Sequence, residues 1–505
     1  MTALSLERLR RGGERLMEEL SREYYRAQAG LQPSAELAPI YARHAEVVSD
    51  DSLELTRELF RGAAPGSEEL RSARILLDWQ AEGLVSRTLA PLDEREIAWE
   101  GSAIVPVSDG RRIPFQRIAI EIANASDRGE RLALEAARAK LVSSELAPLR
   151  RERFERERDL TEGLEIAPGY NATFSALSGI DLPGLVDQCQ AFLRDTREMW
   201  EDVFRSRVRQ QLGIEPRDAT RADALALMRA PEFDPYFPSG DMGREIRRQA
   251  GEMGVDAYAG GRVIFDTGER EGKRSRAFCA PVRVPEEVYL VLRPHGGQAD
   301  YRTFLHELGH ALHFGYTRAD LPFEYRWLGD NSITEAYAML FDHLMHDPGW
   351  LLRYTGLGRS ALPSFLRAVG FEELHFLRRY AAKLVYEFNL YSGEVPWESI
   401  PDLYVATLSD ATLFSYSAAD AFVDVDPRFY AARYLRAWQL QALIAHTLVE
   451  RFDEDWYRNP RSGPWIVEQL FAEGQRELAQ ELAERVGGEP LSFTPLLRAT
   501  EALLV

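Results

Sequence analysis

The sequence predicts a mainly α-helical protein with a small β-sheet set into its second half, and three observations predict it. Apolar residues recur at three- and four-residue steps along the first 230 residues, with charges between them. A block between 262 and 292 is instead rich in Val, Ile and Phe in short runs, as strands are. Helical spacing then resumes and continues to Val505. At 505 residues, 45% hydrophobic and 28% charged, the chain can bury two or three cores or one large helical one. A soft boundary near 235 gives a helical lobe over 1–235 and a second lobe over 236–505.

Taken in order, Ser5 to Tyr25 and Asp51 to Leu77 carry Leu, Ile and aromatic residues on one helical face. Val105-Pro106-Val107 and Ile113 to Ile118 flank a turn at Asp109-Gly110, which predicts a short β excursion. Asp127 to Leu160 is helical again. It ends in the mixed-charge run Arg150 to Arg158, read as a solvated helix face rather than a nucleic-acid patch. Pro231, Pro235 and Pro238 stop helix formation. Strands are predicted at Arg262–Asp266, Phe278–Val284 and Val288–Leu292, the last two joined by a turn at Pro285-Glu286-Glu287. After Gly296-Gly297 a helix is expected from about Asp300 to Phe314. Another opens at Ser332 and is stopped by Pro348-Gly349.

Composition excludes several classes. With 61 Lys and Arg against 80 Asp and Glu the net charge is −19, which disfavours nucleic acid and anionic membranes as partners. Met1 to Gly30 lacks the basic-then-apolar order of a signal peptide, and no apolar run approaches a membrane span. Cys189 and Cys279 are too few for a disulfide framework. The expectation is a cytoplasmic protein; its oligomeric state is open.

The chemistry concentrates in His306-Glu307-Leu308-Gly309-His310. Four residues apart on a helix, His306 and His310 lie one above the other and can reach one metal ion, with Glu307 beside the first. In this HExxH arrangement zinc lowers the pKa of a water toward neutrality and the glutamate takes its proton. His313 and Tyr316 stand where the metzincin extension needs Gly and His, so that subclass is out. A glutamate on the following helix is the other common third ligand, and Glu335 is the candidate. Ser332-x-x-Glu335 also reads as a capping box, which would spend that carboxylate on the helix start. Asp342, seven residues on, could orient a ligand histidine from behind. His313 is expected to be packed rather than to ligate.

Three stretches resemble the zinc oligopeptidase family of thimet oligopeptidase and oligoendopeptidase F, and oligoendopeptidase F most. Gly272-Lys273-Arg274-Ser275-Arg276-Ala277-Phe278-Cys279 is similar to its GKR-x-x-A-[FY]-C segment. Phe304 to His313 matches the family's zinc helix nearly residue for residue, and Ile333-Thr334-Glu335 falls where the third ligand is kept, with Asp342 where the family keeps an acid behind it. The resemblance is specific over about 262–345 and weak in the N-terminal half. The angiotensin-converting-enzyme group is a more distant second. The resemblance implies a gluzincin-type zincin core, one Zn²⁺ per chain on His306, His310 and Glu335, and two helical lobes around a substrate channel. It further implies hydrolysis of internal bonds in short unstructured oligopeptides. Co²⁺ or Mn²⁺ could take the same ligands in vitro.

Zincins hold extended peptides on an edge strand, so Phe278, Cys279 and Ala280 are substrate-binding candidates, alongside an ordinary-hairpin reading of equal weight. Gly296 and Gly297 would let backbone approach substrate, or simply form a turn. For the oxyanion, the family's late His and Tyr cluster corresponds to the stretch from Asp426 to Trp438. Asp426 and Pro427 read as a helix start, with Tyr430, Tyr434 and Trp438 on one face. Tyr430 or Tyr434 is the candidate donor, although such a stripe is more often core. Arg428 stands where oligoendopeptidase F has a histidine, and Arg436 and Trp438 where it has tyrosines. These departures keep a rival open: a catalytically quiet peptide-binding protein on a peptidase scaffold. A carboxypeptidase or dipeptidase of the same clan also remains open.

Overall fold

The computed structural model describes residues 5–274 and 276–504; Ser275, within the GKR segment, lies outside them. The chain is mainly helical, and the described residues form two compact units, each assembled from separated stretches of chain. One comprises Met1–Leu84, Glu232–Leu366 and Arg436–Ala499; the other comprises Val85–Pro231, Arg367–Leu435 and Thr500–Val505. The units adjoin in sequence at 231/232, and neither is one continuous stretch of chain. No described helix is long and apolar enough to cross a membrane.

In the first unit, the N-terminal helix α1 (Leu6–Gln28) explains why the opening residues fold with a segment 240 residues later. It starts on a Ser5 cap, and it buries Leu9, Leu16 and Leu20 along one stripe. Near its end Tyr25 stacks on Tyr289 at 3.8 Å and donates to Asp266, while Arg22 pairs with Glu287 at 2.7 Å. These partners belong to the small sheet, made of β1 (Val263–Asp266), β2 (Phe278–Arg283) and β3 (Glu287–Val291). The order is β1-β3-β2, with β1 parallel to β3 and β2 antiparallel to it, so β2 is an edge strand as its Pro281 predicts. Lys273 of the GKR segment is buried. Its ammonium donates to the Asp266 and Gly268 carbonyls at 2.7 and 2.8 Å, closing the loop between β1 and β2.

Against the sheet lies α2 (Gln298–Tyr316), two residues longer at each end than expected. Phe304 meets Phe265 edge-on, and Gly315 comes so close to Val263 that an added Cβ would stand 2.6 Å from its methyl. Behind it runs α3 (Asn331–Asp342), in which every residue from Ser332 to Asp342 is buried. Such a helix belongs to the interior and its polar side chains must find partners there.

The second unit holds the helices of the middle of the chain. Strand structure covers only 104–106 and 112–114; from Phe115 to Asn124 the chain is helical. Ile118 and Ile122, one turn apart, enter a core with Val105, Ile113 and Leu134, so helical burial overrides the β-branched composition. The run Arg150–Arg158 is a solvated face only in part, with Glu152 and Arg156 exposed and other members paired inward. Arg153 pairs with Asp93 at 2.6 Å, Arg150 with Glu96, and buried Glu157 accepts from Tyr170. Asp426 does not cap a helix: its carboxylate takes Lys383 at 2.7 Å. Pro427–Phe429 is a 3₁₀ turn with Arg428 and Phe429 at φ +54 and +49, and the long helix α4 (Tyr430–Phe452) begins only after it.

Candidate metal centre

Helices α2 and α3 meet backbone to backbone. A Cβ added at Gly309 would stand 2.5 Å from the Tyr337 carbonyl oxygen and 2.6 Å from Ala338 Cα, so only glycine permits the approach. Ala338 lies one turn from Thr334 and one from Asp342, which places these and Glu335 on the side of α3 that faces α2. Thr334, Glu335 and Asp342 are all buried. Three polar side chains on an interior helix therefore point at the histidines of its neighbour.

The contacts are specific. His306 Nδ1 lies 2.8 Å from Asp342 Oδ2, and His310 Nδ1 lies 2.8 Å from Thr334 Oγ1. That leaves both Nε2 atoms turned toward Glu335 Oε2, at 3.5 and 3.7 Å. The two rings stand 4.9 Å apart and nearly perpendicular. His306, His310 and Glu335 thus offer two imidazole nitrogens and one carboxylate oxygen within 4.8 Å of one another. Ligand atoms about 2.0–2.1 Å from a tetrahedral Zn²⁺ are spaced about 3.4 Å apart, so this donor set fits that ion with little adjustment.

Charge favours a cation here as well. Burial opposes protonation of His306, but Asp342 and Glu335 outweigh it and push its pKa up to about 10. Burial holds His310 down to about 4, its Glu335 neighbour only partly offsetting that. Burial also raises Glu307 to about 7, against the pull of His306 and of a backbone hydrogen bond from Cys279. That bond ties the side chain following His306 to edge strand β2. Cys279 is kept as a thiol by burial and by Glu307, which suits a packed residue and not a nucleophile.

Other sequence-predicted residues fall differently. Glu335 is not part of a capping box. The cap of α3 is Asp330, whose carboxylate accepts from Ser332 N at 3.0 Å, so Glu335 lies in the second turn with its carboxylate turned to the histidines. The same Asp330 accepts from Ala479 N at 3.0 Å and from Arg436 at 3.3 Å. Arg436, a departure from the resembled family, is therefore spent on the start of α3. His313 is fully buried among Phe314, Tyr337 and Phe471, with its pKa lowered to about 3 by burial. Gly296 and Gly297 form the turn into α2 at φ +88 and +93, and their N–H groups are committed to Asp300 and the Phe237 carbonyl. They offer no donor to a substrate, and lie about 13 Å along the axis from His306. Phe278 and Cys279 are partly exposed on β2 and Ala280 is buried. Tyr430 and Tyr434 belong to the second unit, where their rings meet at 4.9 Å and Tyr434 meets Tyr380 at 5.6 Å; both remain partly exposed.

Thr334 is the residue that sequence reading passes over. Its only signal is a hydroxyl beside Glu335 in an otherwise apolar helix turn. No family model matches this chain, and no curated protein does.

Proposed function

We propose that the protein is a zinc metallopeptidase with a gluzincin-type core, hydrolysing internal bonds of short, unstructured oligopeptides. The observation that carries this is the convergence of His306, His310 and Glu335 with Glu307 alongside, held by two helices in backbone contact. Zn²⁺ on those three ligands would supply Lewis acidity and acidify water at neutral pH. Glu307 takes a proton from the attacking water and returns it to the leaving amine, a role suited to a carboxylate whose burial lifts its pKa toward neutrality. Edge strand β2, bonded to Glu307 through Cys279, offers main-chain pairing for an extended peptide, which needs no particular side chain. Two free cysteines fit a cytoplasmic setting.

The test is mass-spectrometric product analysis of a mixed pool of short synthetic peptides. Wild type should cut internally; Glu307→Gln should keep its zinc and lose about 10²–10⁴-fold in rate. Folded, zinc-loaded wild type that cuts nothing would favour the quiet peptide-binding scaffold. Trimming from one end alone would favour an exopeptidase.

A further inference from the structure

The two histidines of the centre rest on unlike supports. His306 has the carboxylate of Asp342, which His343 also engages at 2.6 Å. His310 has the neutral hydroxyl of Thr334, 7% exposed and 2.8 Å from Nδ1. An imidazole presents a lone pair at Nε2 only when its proton sits on Nδ1, and the tautomer is set by what Nδ1 finds to bond. A hydroxyl can accept that proton, and here it is fixed by a helix backbone already locked to α2 at Gly309 and Ala338. We propose that Thr334 is a positioning residue for the metal centre, accepting the Nδ1–H of His310 and so holding Nε2 toward Glu335.

The inference rests on the metal-binding part of the reading above and adds a division of labour to it. Adjacent residues of α3 then act on one ion in two ways, Glu335 as ligand and Thr334 as the support of a ligand on the other helix. With Asp342 supporting His306, α3 orients both histidines of α2. A neutral support makes a weaker donor of His310 than a carboxylate would, which leaves the ion more of its positive charge.

The test uses the full chain and zinc itself. Thr334→Val keeps size and branching but removes the acceptor; Thr334→Ser keeps the hydroxyl. Zinc affinity is read by competition with a chromophoric chelator, and geometry by the visible absorption of the Co²⁺-loaded protein. Thr334→Val should bind zinc about 10–100-fold more weakly with an altered Co²⁺ spectrum, and Thr334→Ser should restore both. A buried threonine with only a packing role would change melting temperature without moving either readout. If Thr334→Val does not fold, Thr334→Ala carries the same expectation. Wild-type affinity and spectrum in the folded valine or alanine variant overturn the inference and leave the metallopeptidase reading standing. A wild type that takes no stoichiometric zinc overturns both.

Discussion

Lys383 and His306 both sit among buried carboxylates, one in each unit, and their surroundings close in opposite ways. Around Lys383 the charges complete one another. Its ammonium is 2.7 Å from Asp426 and 3.4 Å from Asp424. Arg379 also pairs with Asp424, Tyr404 donates to it at 2.9 Å, and Glu387 accepts from Asp426 N at 2.7 Å. Burial opposes the charge on Lys383, but Asp424, Glu387 and Asp426 outweigh it and hold its pKa above the usual range. Around His306 and His310 the outer nitrogens are bonded at 2.8 Å, while the inner ones face one carboxylate oxygen at 3.5 and 3.7 Å. Those inner separations are long for hydrogen bonds and suited to ligands of a shared ion. The Lys383 cluster pairs its cations with its own carboxylates, whereas the His306 and His310 cluster turns two ring nitrogens toward one carboxylate oxygen at ligand spacing.

Three experiments sharpen or break that contrast. Glu335→Gln should have the largest effect on the centre, abolishing stoichiometric zinc by elemental analysis. A chelator should then lower the melting temperature of wild type but not of the variant. Retained zinc would place the third ligand elsewhere. Lys383→Met should leave zinc content unchanged and destabilise the protein by about 3–5 kcal/mol, since it removes the cation shared by Asp424, Asp426 and the fully buried Glu387. Denaturant unfolding measures it, and a loss below about 1 kcal/mol would mean the network is not closed as described. Gly309→Ala should cost less, about 1–3 kcal/mol, because one methyl must push α2 from α3. It should weaken zinc binding along with stability, and unaltered zinc affinity would show that the ligands do not depend on that contact.

What could be read in advance was whatever has a local period. The pair His306 and His310 is visible because four residues is nearly one helical turn, and the edge strand because Pro281 marks it. Glu335 is legible as a glutamate on the following helix and again through the resemblance, but the capping box predicted at Ser332 does not form because Asp330, two residues earlier, accepts the Ser332 N–H. Thr334 carries only a hydroxyl beside Glu335 as a local mark, since its partner is 24 residues away on another helix. The start of α4 departs from the sequence expectation for the same kind of reason: Lys383 claims the Asp426 carboxylate that would cap it. Ile118 and Ile122 fit both periods, and packing on Val105 and Leu134 decided for helix. The assembly of the first unit from separated stretches depends on contacts such as Tyr25 with Tyr289, which no window of sequence contains.

The contact of Gly309 with Ala338 bears on how a centre of this kind spends entropy. Long side chains that converge from flexible elements must be frozen when the ion arrives, at a cost of about 0.5–1.5 kcal/mol for each rotamer-rich group. Here the spacing between ligands on different helices is inherited from the main chain, which does not choose among rotamers. His306 and His310 are braced at Nδ1, and Glu335 is buried. On the proposed reading, capture of an ion would ask for little further ordering, and affinity should owe more to geometry prepared during folding than to rearrangement at the moment of binding.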